Sequence, residues 1–225
     1  MSAGHATARA GFETPRPHLA DWGRRALDVM LAAIAILVLA PLLVLLWASV
    51  RLDSPGPVVF RQQRLGRDAR PFTIFKFRTM RVDTDDAIHR AYVTQLLTHD
   101  NPEAGGTGGL FKLENDPRIT RVGALLRRTS LDELPQLFNI LRGEMSLVGP
   151  RPALAWEAEL YDERHWARFQ VPPGLTGLWQ VTGRSELTMR QALDLDLDYV
   201  HRRSVRFDLL IILKTIPALL RSQAT

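Results

Sequence analysis

The chain is 225 residues long, 46% hydrophobic and 24% charged, a composition that fits one folded domain and excludes a disordered or collagen-like chain. Its 29 Lys and Arg against 24 Asp and Glu give a formal charge of +5, which suits a phosphate-bearing partner or an anionic membrane surface without demanding either. The absence of cysteine removes disulfides, Cys-ligated zinc and a thiol nucleophile, leaving carboxylates, His, Ser, Thr and Lys for any chemistry.

Residues 1–20 mix Gly, Ala, Thr, Pro and His without an apolar period and are expected to form a mobile leader. Val29–Val50 then runs for 22 residues without a charge, with Arg24 and Arg25 before it and Arg51 after it. As a straight helix it measures about 33 Å, enough for a hydrocarbon core of roughly 30 Å. A signal peptide is a poorer reading, because its apolar region is shorter and ends in small residues, whereas Leu46, Trp47 and Arg51 stand here. Pro41 removes the hydrogen bond to the Leu37 carbonyl and predicts a kink between arms of about 12 and 9 residues, each too short to cross alone. Arg and Lys lie on both flanks, since Arg61, Arg64, Arg67, Arg70 and Lys76 follow Arg51. Both flanks therefore read as cytoplasmic. A helix that enters and leaves through one leaflet meets both observations; a crossing helix that tolerates its proline is the alternative, and the residues alone do not choose.

Asp53–Pro57 is a turn cluster, and Val58–Gln62 and Phe72–Phe77 read as a β-hairpin around Gly66-Arg67-Asp68. Helical patterns follow at Asp85–Leu97, Arg121–Arg128, Pro135–Arg142, Ala153–Phe169 and Met189–His201, with a Gly-rich loop at Asn101–Gly109. Leu209–Leu220 is apolar but carries Lys214 and Pro217, so it should lie on a membrane or pack in a core; it is too short to span. The fold class is α+β: mostly helical, with a small hairpin.

Several catalytic templates fail. Gly105–Lys112 lacks the Gly-Lys-hydroxyl ending of a P-loop, the six histidines form no HExxH, and GxGxxG and GxSxG are absent. Asp194, Asp196 and Asp198 imitate the start of a calcium loop, but Tyr199 stands where the sharp turn needs Gly, so a solvated acidic face is expected. The informative stretch is Arg127-Arg128-Thr129-Ser130-Leu131-Asp132-Glu133-Leu134-Pro135. Proline is at home in a first helical turn, which puts Asp132 and Glu133 at or near a helix N-terminus, where free N–H groups and the dipole favour anions. On this segment alone, simple capping of the helix by Asp132 explains the pattern. Basic residues recur in loop-like settings, with Lys76 and Arg78 in KFRTM, Arg151 in GPRP and Arg184 after Gly183. Together with a carboxylate pair beside a membrane segment they suggest phosphoryl chemistry on a lipid: arginine recognises phosphate bidentately, Glu can hold Mg²⁺ against a diphosphate, and Asp can attack phosphorus.

RALDVMLAAIAILVLAPLL, FKFRTM, DPRITRVGALLRRTSLDELPQLFNILRGEMSLVGPRP and PPGLTGLWQVTGRSEL, in that order, resemble the motifs of the monotopic bacterial sugar transferases, the polyprenyl-phosphate phosphoglycosyl transferases, over about residues 22–221. The resemblance implies transfer of a sugar 1-phosphate, a hexose, from a UDP-sugar to undecaprenyl phosphate with release of UMP, as the first membrane step of exopolysaccharide, O-antigen or glycoconjugate assembly. It implies Asp132 as the nucleophile of a covalent phosphosugar intermediate and Glu133 as the Mg²⁺ ligand. Arg127 and Arg184 match basic residues near the phosphate, and Lys76, Arg78 and Arg151 lie in family motifs with less defined duties. The implied organisation is a leader over 1–20, a re-entrant membrane helix over 21–52 broken at Pro41, and a cytoplasmic catalytic domain with interfacial amphipathic helices over 53–225. The implied location is the cytoplasmic face of the bacterial inner membrane. Relatives often place Ser before this proline; Ala40 leaves the freed backbone groups without that hydroxyl. Membrane lipid is an expected partner, nucleic acid is not, and a homodimer is left open.

Overall fold

The computed structural model describes residues 19–82, 87–98, 116–183 and 187–221. Most of the expected leader and the Gly-rich stretch 101–109 lie outside these residues. The first element is a single helix, α1 (Leu19–Asp53), with helical backbone on both sides of Pro41. Proline's fixed φ is itself helical, so its cost here is one lost hydrogen bond and local crowding rather than an end to the helix. The flanking turns are held from outside. Ala32 packs with Phe72, Ile74, Leu137, Ile140 and Met145, and Leu46 and Val50 pack with Val58, Phe77 and Leu126.

The hairpin is antiparallel, with β1 (Val59–Leu65) against β2 (Pro71–Phe77) in the register Phe60 to Lys76, Gln62 to Ile74 and Arg64 to Phe72. These six residues therefore share one face. The tip is tight: Asp68 and Ala69 both have positive φ, and Gly66 N–H donates to the Arg70 carbonyl. Next come α2 (Ala87–Thr98), α3 (Arg121–Thr129) and α4 (Gln136–Arg142). The helices expected at 121–128 and 135–142 are thus found within a residue. Gly143 ends α4 with φ +83 and returns its N–H to the Ile140 carbonyl, a left-handed C-terminus that favours glycine.

Beyond α4 the expectations need two corrections. Ala153–Phe169 is not one helix but a single turn, α5 (Ala155–Ala158), followed by a separate 3-10 segment, Glu163–Gln170. No Gly or Pro marks that break; it is set by inward-turned side chains, Glu157 on the backbone of Leu154 and Arg168 on Asp196. The sequence does not announce the parallel pair β3 (Ser146–Val148) and β4 (Gly174–Thr176), because three-residue strands among Gly and Pro carry no period. Here Gly149 and Gly174 pass so closely that a Cβ on either would collide with the other's backbone. The chain closes with α6 (Leu178–Thr182), α7 (Met189–Arg202) and α8 (Val205–Arg221). In α8 Ile211 is buried while Leu209, Leu210, Leu213 and Ile216 are exposed, so the helix both packs and presents an apolar face.

Polar anchors fasten α1 at both ends. Arg25 donates to the carbonyls of Ile140 and Leu141, and Asp28 accepts from Ser146 Oγ at 2.7 Å and from Leu147 N–H at 2.9 Å. At the other end Asp53 accepts from Val122 N–H at 3.1 Å, at the start of α3. Between the anchors the outward face is apolar, and Leu37, Val38 and Val44 are more than two-thirds exposed. Among the described residues this is the one helix long and apolar enough to cross a membrane.

Candidate active site

The carboxylate pair sits in a joint between α3 and α4. Helix α3 begins at Thr120, whose hydroxyl accepts from Gly123 N–H at 3.0 Å. Gly123 allows close approach to β2's continuation, since a Cβ there would run into the Thr79 carbonyl. The helix ends where Ser130 takes a left-handed conformation, φ 57 and ψ 17, unusual for a residue other than glycine. Leu131–Glu133 forms a 3-10 turn, Glu133 N–H donating to the Ser130 carbonyl, and Pro135 precedes α4. The expected helix N-terminus is therefore a 3-10 turn abutting α4, and Asp132 and Glu133 sit half-buried on it.

Lys76, on the inner face of the hairpin, reaches Glu133 Oε1 at 2.8 Å. Arg127, in the last turn of α3, has its pKa lowered by burial and partly restored by the charge of Asp132, so the two are electrostatic neighbours. Asp116, which also acts on Arg127, is held below the usual carboxylate range chiefly by its hydrogen bonds with Arg118, at 2.7–3.1 Å. Lys76, Arg127, Asp132 and Glu133 are thus brought together from three elements.

Arg78 is placed elsewhere. Its guanidinium is buried and donates to the carbonyls of Ser54 and Pro55, at 2.6 and 2.8 Å, and to Ser54 Oγ, clamping the chain as it leaves α1. Those donors are engaged by the fold. Arg184 lies outside the described residues. Arg151 stands on the turn after β3, half-buried, 3.7 Å from Glu157 Oε2. Beside it lies a cluster the sequence reading missed. Arg64 is 3.8 Å from the same Glu157 oxygen, and burial, then the charge of Arg151, lowers its pKa to about 10, so it remains a cation at neutral pH. Glu133 is among the charges that act on Arg64, which places this cluster within electrostatic reach of the carboxylate pair.

The acidic run on α7 is a solvated face at two of its three positions, and the exception is Asp196. Asp196 is buried against Arg168 at 2.6 Å, and burial pushes its carboxyl up to about 6 against the pull of that arginine. Asp194 and Asp198 stay on the surface, their side chains 44% and 41% exposed: Asp194 meets Arg164 and His165, each at 2.9 Å, and Asp198 pairs with Arg202 one turn on. A two-residue spacing in a helix cannot tell which Asp faces inward without the segment packed on it. The expectation that these residues form no calcium loop agrees with their helical backbone.

Residues 19–222 match the bacterial sugar transferase family over nearly the whole chain. The chain belongs to that family. It is 42% identical over 202 residues to the exopolysaccharide production protein ExoY of Rhizobium meliloti, covering 90% of this chain and 87% of that one. It is 42% identical over 222 residues to the UDP-glucose:undecaprenyl-phosphate glucose-1-phosphate transferase of Caulobacter vibrioides, covering 95% and 75%. It is 39% identical over 198 residues to the undecaprenyl-phosphate galactose phosphotransferase of Salmonella typhimurium, covering 88% of this chain and 40% of the longer relative. The family match takes in α1, the joint carrying Asp132 and Glu133, and α8, so the membrane-type helix and the carboxylate pair belong to one family unit.

Proposed function

We propose that this sugar transferase moves a hexose 1-phosphate from a UDP-sugar to undecaprenyl phosphate and releases UMP, through a phosphosugar carried on Asp132. The observation that carries the reading is the pair Asp132 and Glu133, presented half-buried between Lys76 and Arg127 in a chain whose relatives are named as UDP-sugar and undecaprenyl-phosphate transferases. A carboxylate oxygen of Asp132 attacks the phosphorus next to the sugar, and the bond from that phosphorus to the bridging oxygen breaks, with the electron pair leaving on UMP. An oxygen of undecaprenyl phosphate then attacks the same phosphorus, frees the Asp132 carboxylate and yields the lipid diphosphate sugar. Arg127 and Lys76 offset charge that builds on the phosphates.

Mg²⁺ fits the donors present. Among the described residues no three His, Asp or Glu side chains form a cage, but Mg²⁺ commonly takes one or two carboxylates and completes its shell with substrate phosphates and water. Glu133 would hold it, with Lys76 fixing that carboxylate. Bound there, the ion would neutralise the donor diphosphate and favour departure of the nucleotide.

The anchoring of α1 supports a re-entrant helix on the cytoplasmic face of the inner membrane. As a straight rod its 35 residues would be about 52 Å long. Both ends are nevertheless tied to the same polar domain, through Arg25 and Asp28 at one end and Asp53 at the other. A crossing helix would separate those anchors by a hydrocarbon core of roughly 30 Å. The exposed apolar face of α8 suits an interfacial position beside it.

The test is incubation with a panel of UDP-sugars, Mg²⁺ and undecaprenyl phosphate, followed by chromatography of the nucleotide and intact mass of the protein. UMP and a protein adduct of one phosphosugar are expected, and Asp132→Asn should lose the adduct and turnover by about a thousandfold or more. Release of UDP instead would mark a direct glycosyl transfer and remove the mechanism.

A further inference from the structure

We infer that Arg151 contacts a phosphate of the substrate and that Glu157 is the positioning residue that holds it there, an inference that rests on the phosphoryl-transfer reading above. Glu157 is 1% exposed, and no feature of its sequence neighbourhood assigns it a task. Its Oε2 does three things at once. It accepts from Leu154 N–H at 2.9 Å, and it lies 3.7 Å from Arg151 Nη1 and 3.8 Å from Arg64 Nη1. Arg64 in turn donates to the Pro152 carbonyl at 3.2 Å, and Arg168 donates to the Arg151 carbonyl at 2.8 Å. One carboxylate therefore ties the side chain of Arg151, the backbone three residues after it, and the arginine that grips the residue between.

The cluster is expensive for stability alone. A carboxylate this deeply buried is tolerated when its charge is matched and its oxygens are bonded, yet both ion-pair distances exceed hydrogen-bond length and Glu157 Oε1 is buried without a hydrogen-bond partner. Only replacement of the whole cluster by apolar residues would remove that cost, since an apolar residue at 157 alone would leave the buried Arg64 without its counter-charge. What a carboxylate adds is a charge that orients Arg151, the more exposed of the two arginines. Arg64 completes the link, because it shares the hairpin face with Lys76, which reaches Glu133 at 2.8 Å.

A double-mutant cycle on kcat/KM for the UDP-sugar, with UMP release as the readout, tests this. Glu157→Gln keeps the shape and removes the charge; a 10- to 100-fold loss is expected in the wild-type background. In an Arg151→Ala background, itself at least as impaired, the same change should cost no more than about twofold, since nothing is left to position. If Glu157→Gln does not fold, Glu157→Asp retains the charge but withdraws it by one methylene, and the same dependence on Arg151 is expected. An unchanged kcat/KM for the single variant, or an equal loss in both backgrounds, would overturn the inference and leave Glu157 a purely structural group. UMP release and the protein adduct in wild type report separately on the underlying reading, so the two can fail independently.

Discussion

Lys76 and Arg78 sit two residues apart in one motif, and their side chains have unrelated tasks. Lys76 meets Glu133 where both are partly exposed, so solvent screens the pair and its worth in stability is about 0–1 kcal/mol. Arg78 is buried on carbonyls that close the end of α1, and its loss would leave those acceptors unsatisfied at about 2–3 kcal/mol. Lys76→Ala should therefore lower kcat/KM by about 10- to 100-fold while the melting temperature hardly moves. Arg78→Ala should lower the melting temperature by several degrees, which a thermal melt in detergent would register. Equal melting temperatures for the two variants would contradict this division. The chemistry of both side chains was legible in FKFRTM, but their duties were not: alternation along the strand sends Lys76 to the inner face of the hairpin, and Arg78 lies just past its end, against α1.

At the scale of elements, α7 shows how a helix turns a charge run into an internal support. Asp196 is buried with Arg168, and its carboxyl is raised from 3.8 to about 6 because burial disfavours the charged form. A carboxyl raised on folding contributes stability that is whole below about pH 4 and is lost as pH rises through 6, the reverse of a surface-paired aspartate. Relative to Asp196→Asn, the wild-type melting temperature should fall between pH 4 and 6 and run parallel above it. A constant difference across that range would mean the carboxyl is not shifted. The same helix explains why the solvated reading of 194–198 holds at Asp194 and Asp198 and fails at Asp196: inward and outward positions repeat along α7, and the 3-10 segment packed on it takes Asp196 into the interior. Helices α3, α4 and α7 were readable because each has caps or a clear period, as at Thr120, Gly143 and Thr188. The short strands β3 and β4 were not, since a pair that depends on two glycine backbones touching leaves no alternation in the sequence.

For the whole molecule, the decisive feature is a long apolar helix fastened at both ends to one polar domain. With no native cysteine, labelling is clean. Gly23→Cys and Leu52→Cys, both exposed and near opposite ends of α1, should react with a membrane-impermeant maleimide from the same, cytoplasmic face of inverted vesicles. Reaction from opposite faces would mark a crossing helix and end the re-entrant reading. By itself the sequence determined the membrane-type segment, the hairpin, most helices and the carboxylate pair, because uninterrupted hydropathy, local periods, caps and adjacent residues are all short-range properties of a chain. Only the tertiary structure decided that α1 is anchored at both ends, that Arg78 serves the fold while Lys76 serves Glu133, and that Arg64, Glu157 and Arg168 gather around Arg151. Those pairings join residues far apart along the chain, and the burial that gives each charge its meaning exists only once the elements have packed.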